Sequence, residues 1–104
     1  MVPASPSIRE LVAPESLGLE TRASFRQAAV QALESMPEGE GLLVIDLRAT
    51  RHVDSAGLGA LMLVQRRAGE RRQRVALRAA SDELRFLLVL TKLDDLFELE
   101  PAGA

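Results

Sequence analysis

Leu42-Leu43-Val44-Ile45-Asp46-Leu47 and, after a short link, His52-Val53-Asp54-Ser55-Ala56-Gly57-Leu58-Gly59-Ala60-Leu61 decide how this chain is read. The first run is short, apolar and rich in branched residues, which suits a strand buried on both faces of a parallel sheet. Residues 56–68 read as a helix. Asp54-Ser55 stands where a helix N-cap belongs, because either side chain can accept a hydrogen bond from a free amide of the first turn. Ser55 is therefore expected at a helix N-terminus. Gly57 and Gly59 follow, and each is expected to cost about 1 kcal/mol relative to alanine inside a helix. Close approach of another backbone, or of a phosphate, to the bare amides would offset that. A hydroxyl in this position can carry a phosphate, whose charge the helix dipole and free amides stabilise. The same residues also fit a plainer role, in which Ser55 only caps and the glycines only allow tight packing.

Working outward, residues 7–13 suit a strand, and Pro14-Glu15-Ser16-Leu17-Gly18 reads as a turn. Thr21 is the expected cap of an amphipathic helix reaching about Met36, with Phe25, Ala29, Leu33 and Met36 on one face. Residues 37–41, with proline and two glycines, end it. The helix after Ser55 carries Leu58, Leu61, Met62, Leu63 and Val64, apolar nearly all round. One face must cover the sheet, and burial against a neighbouring helix is expected for the other. Gly69 is expected to interrupt this helix. Residues 74–79 alternate as a strand nearer the sheet edge would. Ser81-Asp82-Glu83 starts a further helix with Leu84, Leu87 and Leu88 facing the core, while Phe86, Val89 and Leu90 form a second apolar face. That face suits packing against another helix, or a partner or second copy. Residues 96–99 suit a last short strand. The alternation implies a single α/β domain over 1–104, ordered from about 7 to 100, with a mainly parallel sheet of four to five strands.

Composition narrows the function. At 104 residues one domain with one modest core is expected, and 47% hydrophobic with 27% charged residues describes a soluble globular chain. There is no cysteine, hence no disulfide, thiol nucleophile or cysteine-based zinc site, which fits a cytoplasmic protein. The start lacks the pattern of a signal peptide, and no apolar run is long enough to span a bilayer, so no membrane insertion is expected. Arg66, Arg67, Arg71, Arg72 and Arg74 cluster, but the only aromatics are three phenylalanines, none among them. No nucleic acid partner is expected.

The segment 42–97 resembles the STAS family, the domain of bacterial anti-sigma factor antagonists and of the cytoplasmic tails of sulfate transporters. The likeness rests on Val44-Ile45-Asp46-Leu47 as central strand and on Val53-Asp54-Ser55-Ala56-Gly57-Leu58-Gly59 as signature loop. Leu84-Arg85-Phe86-Leu87-Leu88 with Leu93-Asp94-Asp95-Leu96-Phe97 corresponds to the closing helix and last strand. The resemblance implies an anti-sigma factor antagonist in which Ser55 is the phosphoacceptor and Asp54 its motif partner. It implies a partner-binding surface made of His52, Asp54, Ser55, Ala56, Gly57, Leu58 and Gly59. The implied partners are an anti-sigma factor with serine kinase activity and a PP2C-type phosphatase, and a homodimer is compatible. The alternative is a constitutive STAS subunit of a lipid-transport ABC complex or a signalling scaffold, not phosphorylated. Two departures stand out. The N-terminal region is short and reads Pro14-Glu15-Ser16-Leu17 where a glycine-led turn is usual, and Lys92 replaces a helix-ending glycine.

Other chemistry is weaker. His52, Ser55 and Asp54 contain the residue types of a hydrolytic triad, but His52 precedes Ser55 by three residues and Val53 replaces the glycine of a nucleophile elbow. No catalytic residues, and so no enzyme, are expected. His52 is the only histidine, so no metal site is expected. Asp46 inside an apolar strand should be hydrogen-bonded or near its surface end. No glycine-rich nucleotide loop appears and no cofactor is expected, so a phosphate on Ser55 must come from another protein.

Overall fold

Branched apolar runs became strands and the amphipathic segments became helices, in a computed structural model that describes residues 7–100. The order is β1 (Ile8–Val12), β2 (Ser16–Leu17), α1 (Arg22–Glu34), β3 (Leu42–Asp46), β4 (His52–Val53), α2 (Ser55–Glu70), β5 (Arg74–Arg78), α3 (Asp82–Leu90), a 3-10 turn (Asp94–Leu96) and β6 (Glu98–Leu99). Four strands form one sheet in the order β1-β3-β5-β6, every pair parallel, in register Leu11↔Ile45↔Leu77↔Leu99. The pair β2-β4 forms a separate small parallel sheet.

Alternate residues of a strand face opposite ways, so the two faces can be separated by parity. Leu43, Ile45, Leu47, Val75 and Leu77 share one core with Phe25, Ala29 and Leu33 of α1, Leu61 and Val64 of α2, and Leu84 and Leu88 of α3. All three helices therefore cover one face. On the other, Val44 and Ala76 are just as buried, at 2% exposure each, yet lie outside that core. Charged side chains roof them. Arg78 pairs with Glu10 at 3.2 Å and Glu100 at 3.0 Å, and Arg74 with Glu98 at 3.0 Å. The long stems shield apolar surface while the charged heads stay in water. The expectation that β3 is buried on both faces holds, by two different means.

Several boundaries differ from the sequence reading. The Pro14–Gly18 stretch is not a plain turn, because Ser16 and Leu17 pair with His52 and Val53. Strand β5 is interior rather than an edge, since β6 adds beyond it. Residue 96 belongs to the 3-10 turn, and only Glu98–Leu99 form the last strand. Thr21 precedes α1 but makes no capping bond. Its Oγ1 instead accepts from the Gly18 amide at 3.0 Å and donates to the Ser16 carbonyl at 2.7 Å. Asp46 ends β3 and accepts from the Arg48 amide at 2.9 Å, as a polar group there should.

Gly69 does not interrupt α2, which runs to Glu70. The helix stops at Arg72, in the left-handed region with φ 55°, where the Gln73 amide donates to the Ala68 carbonyl and the Arg72 amide to that of Gly69. Helix α3 stops the same way at Lys92, φ 61°, with Leu93 donating to Leu88 and Lys92 to Val89. These are the paired bonds of a Schellman ending, usually built on glycine. A non-glycine residue thus occupies strained backbone at both ends, as the Lys92 departure implied. Gln73, 5% exposed, sends its Nε2 toward the carbonyls of Leu33, Met36, Pro37 and Glu40, which ties the end of α1 to the end of α2.

Candidate functional site

The link from β3 to α2 is held from outside. Thr50 Oγ1 donates to the Pro14 carbonyl at 2.7 Å, and the amides of Arg51 and His52 both donate to that of Glu15. Short β4 then pairs with β2, and the Asp54 amide donates to the Leu17 carbonyl at 3.2 Å. The chain reaches Asp54 in extended geometry and turns into α2 with Ser55 as its first helical residue.

Asp54 is the N-cap. Its Oδ1 accepts from the Gly57 amide at 2.9 Å and its Oδ2 from the Leu19 amide at 3.3 Å. One carboxylate thereby caps α2 and fastens the loop that leads into α1. The bond from Gly57 holds its pKa below the ordinary aspartate value; partial desolvation opposes this, while the Leu19 and Ala56 amides and the Arg22 charge add to the lowering.

Two glycines make that clamp possible. A Cβ on Gly57 would lie 1.9 Å from the Leu17 carbonyl oxygen, and one on Gly18 would lie 2.4 Å from Asp54 Oδ2. The close approach inferred for Gly57 is therefore to backbone. Gly59 differs, with nothing within 4 Å of such a Cβ. Leu17, Gly18, Leu19 and Thr21 belong to the site, although the sequence reading gave Leu17 and Gly18 only a turn, Thr21 only a cap, and Leu19 nothing. Their signal was faint: a glycine before a helix, with no local reason for it.

The residues picked out from sequence fall into two groups. His52, Asp54, Ser55 and Gly59 are exposed, whereas Ala56 and Leu58 are half-buried and Gly57 is buried beneath β2. The Ser55 hydroxyl engages no described residue, so it faces solvent at the positive end of α2. About two turns further along α2, Met62 and Leu63 are 41% and 38% exposed, which corrects the expectation that the outer face of α2 is buried. His52 and Asp54 also line a hollow of about 190 Å³ shared with Ser81, Leu84 and Leu87 of the α3 segment. Among the described residues no group of three or more His, Asp or Glu side chains could hold a metal ion, and no helix is long and apolar enough to cross a membrane.

The molecule is thus a parallel α/β domain that displays a capped helix N-terminus and an exposed serine at the start of α2. The chain belongs to the STAS family, whose "Mlab, STAS domain" model matches residues 7–100. A STAS-domain containing protein of Pseudomonas aeruginosa is 34% identical over 56 residues. That match covers 54% of this chain and 55% of the other, so the chain spans about half the length of the curated relative it matches. Among solved structures, an anti-sigma factor antagonist (STAS) domain protein of Planctomyces limnophilus superposes with TM-score 0.77 at 16% identity, covering 95% of this chain and 86% of that one. A sulfate transporter family protein of Wolinella succinogenes gives 0.71 at 16% identity, covering 95% and 80%. At these identities the likeness is one of fold.

Proposed function

We propose that this chain is a phosphorylation-controlled protein-binding domain of the anti-sigma factor antagonist type, acting in the cytoplasm. Unphosphorylated, the surface around His52, Asp54, Ser55 and Gly59 docks on an anti-sigma factor with serine kinase activity and frees the sigma factor. The observation that carries this reading is the exposed, unengaged Ser55 hydroxyl on the first turn of α2, beside a carboxylate locked in place by Gly57 and Leu19. Phosphorylation there adds about two negative charges next to the Asp54 carboxylate. The helix dipole lets the fold tolerate them, whereas a partner surface packed against the turn must desolvate them and lets go. A PP2C-type phosphatase resets the switch.

Incubation with ATP and a lysate of the host, followed by phosphosite mapping, tests this directly. Phosphate on Ser55, absent from Ser55→Ala, is the expected result. With the host kinases shown to be active, its absence overturns the switch. Ser55→Asp should melt near the parent and lose partner binding; intact binding by that variant counts against the mechanism.

A second reading is a constitutive STAS subunit of a transporter or signalling assembly. It is supported by the open apolar surface at Met62 and Leu63, which needs no phosphate to act, and by the likeness in fold to a sulfate transporter family protein. Neighbouring genes separate the two: a kinase and a phosphatase favour the switch, transporter components the subunit.

A further inference from the structure

The start of α1 is fastened to the Ser55 turn from several sides. Leu19 donates its amide to Asp54 Oδ2 at 3.3 Å, and Gly18 packs so closely on that carboxylate that a Cβ would lie 2.4 Å from it. The Gly18 carbonyl in turn accepts from the Thr21 and Arg22 amides, at 3.1 and 2.8 Å. Thr21 Oγ1 pins the same loop by bonding the Gly18 amide and the Ser16 carbonyl. Arg22, the first residue of α1, is therefore rooted in backbone held against the residue that precedes Ser55. No loop has to be ordered before its side chain can turn toward the Ser55 hydroxyl.

The neighbourhood of that hydroxyl is rich in acids. Asp54 adjoins it, Glu20 shares a hollow with Asp54 on the α1 side, and Glu83 shares another with His52 and Asp54 on the α3 side. A phosphate on Ser55 would join these three carboxylates, which oppose its second ionisation. Of the cations nearby, Arg51 is turned to Glu15 at 3.7 Å. Arg22 is exposed and, among the described residues, has no ion pair or side-chain hydrogen bond. Its charge already reaches Asp54, where it helps to hold the carboxyl ionised.

We propose that Arg22 receives the phosphate on Ser55, closing a guanidinium–phosphate pair between the first turns of α1 and α2. The inference rests on the phosphorylation proposed above and assigns the cation that completes it. A planar guanidinium can offer two parallel N–H groups to phosphate oxygens, which an ammonium cannot. The pair offsets the surrounding carboxylates, so the phosphate keeps its second negative charge at neutral pH. A partner then meets a fixed dianion at the turn.

Phosphoserine installed at position 55 during synthesis of the full chain, followed by a phosphorus NMR titration at low salt, tests the pair. The result is readable whether or not a host kinase acts on Ser55, so its failure and that of the switch are distinct. Arg22→Gln should raise the second pKa of the phosphate by about half a unit or more, and Arg22→Lys by less. Arg26→Gln, one turn further along α1, should raise it little. Without the phosphate, Arg22→Gln should melt close to the parent; with it, the variant should melt below the phosphorylated parent. A titration unmoved by Arg22→Gln overturns the proposal. So does a shift of equal size from Arg26→Gln, which would mark a diffuse field in place of a pair.

Discussion

Gly57 and Gly59 stand two residues apart on the same helix, yet they are different objects. The first is pressed against the Leu17 carbonyl, so that α2 can lie on β2; the second faces open space. A glycine that no neighbour requires, on a surface that also exposes Met62 and Leu63, leaves the helix backbone bare, which is consistent with the docking surface proposed above. The difference separates the residues that build the Ser55 turn from those that present it.

Replacing each glycine by alanine would break or sharpen this comparison. Gly57→Ala has the largest expected effect, a loss of about 3 kcal/mol, because its Cβ meets backbone that must shift. Urea denaturation reads it, and parental stability would refute the close packing of α2 on β2. Gly18→Ala pushes on a side chain instead, displacing the Asp54 carboxylate from its place, and should lose about 1–2 kcal/mol. Gly59→Ala should run the other way, gaining about 1 kcal/mol from helix propensity while weakening partner docking. A gain in stability with unchanged docking would remove Gly59 from the interface.

The smallest effect is on pH dependence. The folded state holds the Asp54 pKa below its unfolded value, so its contribution is fully present above the ordinary aspartate range. It is lost as pH falls through the lowered folded value. Asp54→Asn should therefore destabilise the protein at neutral pH and by less in strong acid, so that melting curves of parent and variant converge as pH falls. A constant gap would show that the carboxylate charge is not what holds the turn.

Much of this was legible beforehand, for local reasons. The branched run 42–47, the amphipathic spacing of α1 and the Ser81 and Asp54 caps depend on residues within a turn or two of each other. Ser81 Oγ accepts from Leu84 and Asp54 Oδ1 from Gly57, each three residues on. The helix ends were read less well, because Gly69 drew attention while Arg72 takes the left-handed turn. Strand β2 went unread because two residues carry no periodicity, and only pairing with His52 and Val53 makes them a strand.

The sequence by itself determined the alternation of strands and helices, the STAS resemblance and the place of Ser55 at a helix N-terminus. Those follow from apolar periodicity and from hydrogen bonds that span three or four residues. Only the tertiary structure decided that Asp54 also fastens Leu19, that Gly57 is packed and Gly59 open, that β5 is interior, and that Phe86 is exposed. Each of these depends on which distant segment arrives opposite, Leu17 against Gly57 or Glu98 against Ala76, and spacing along the chain does not specify that.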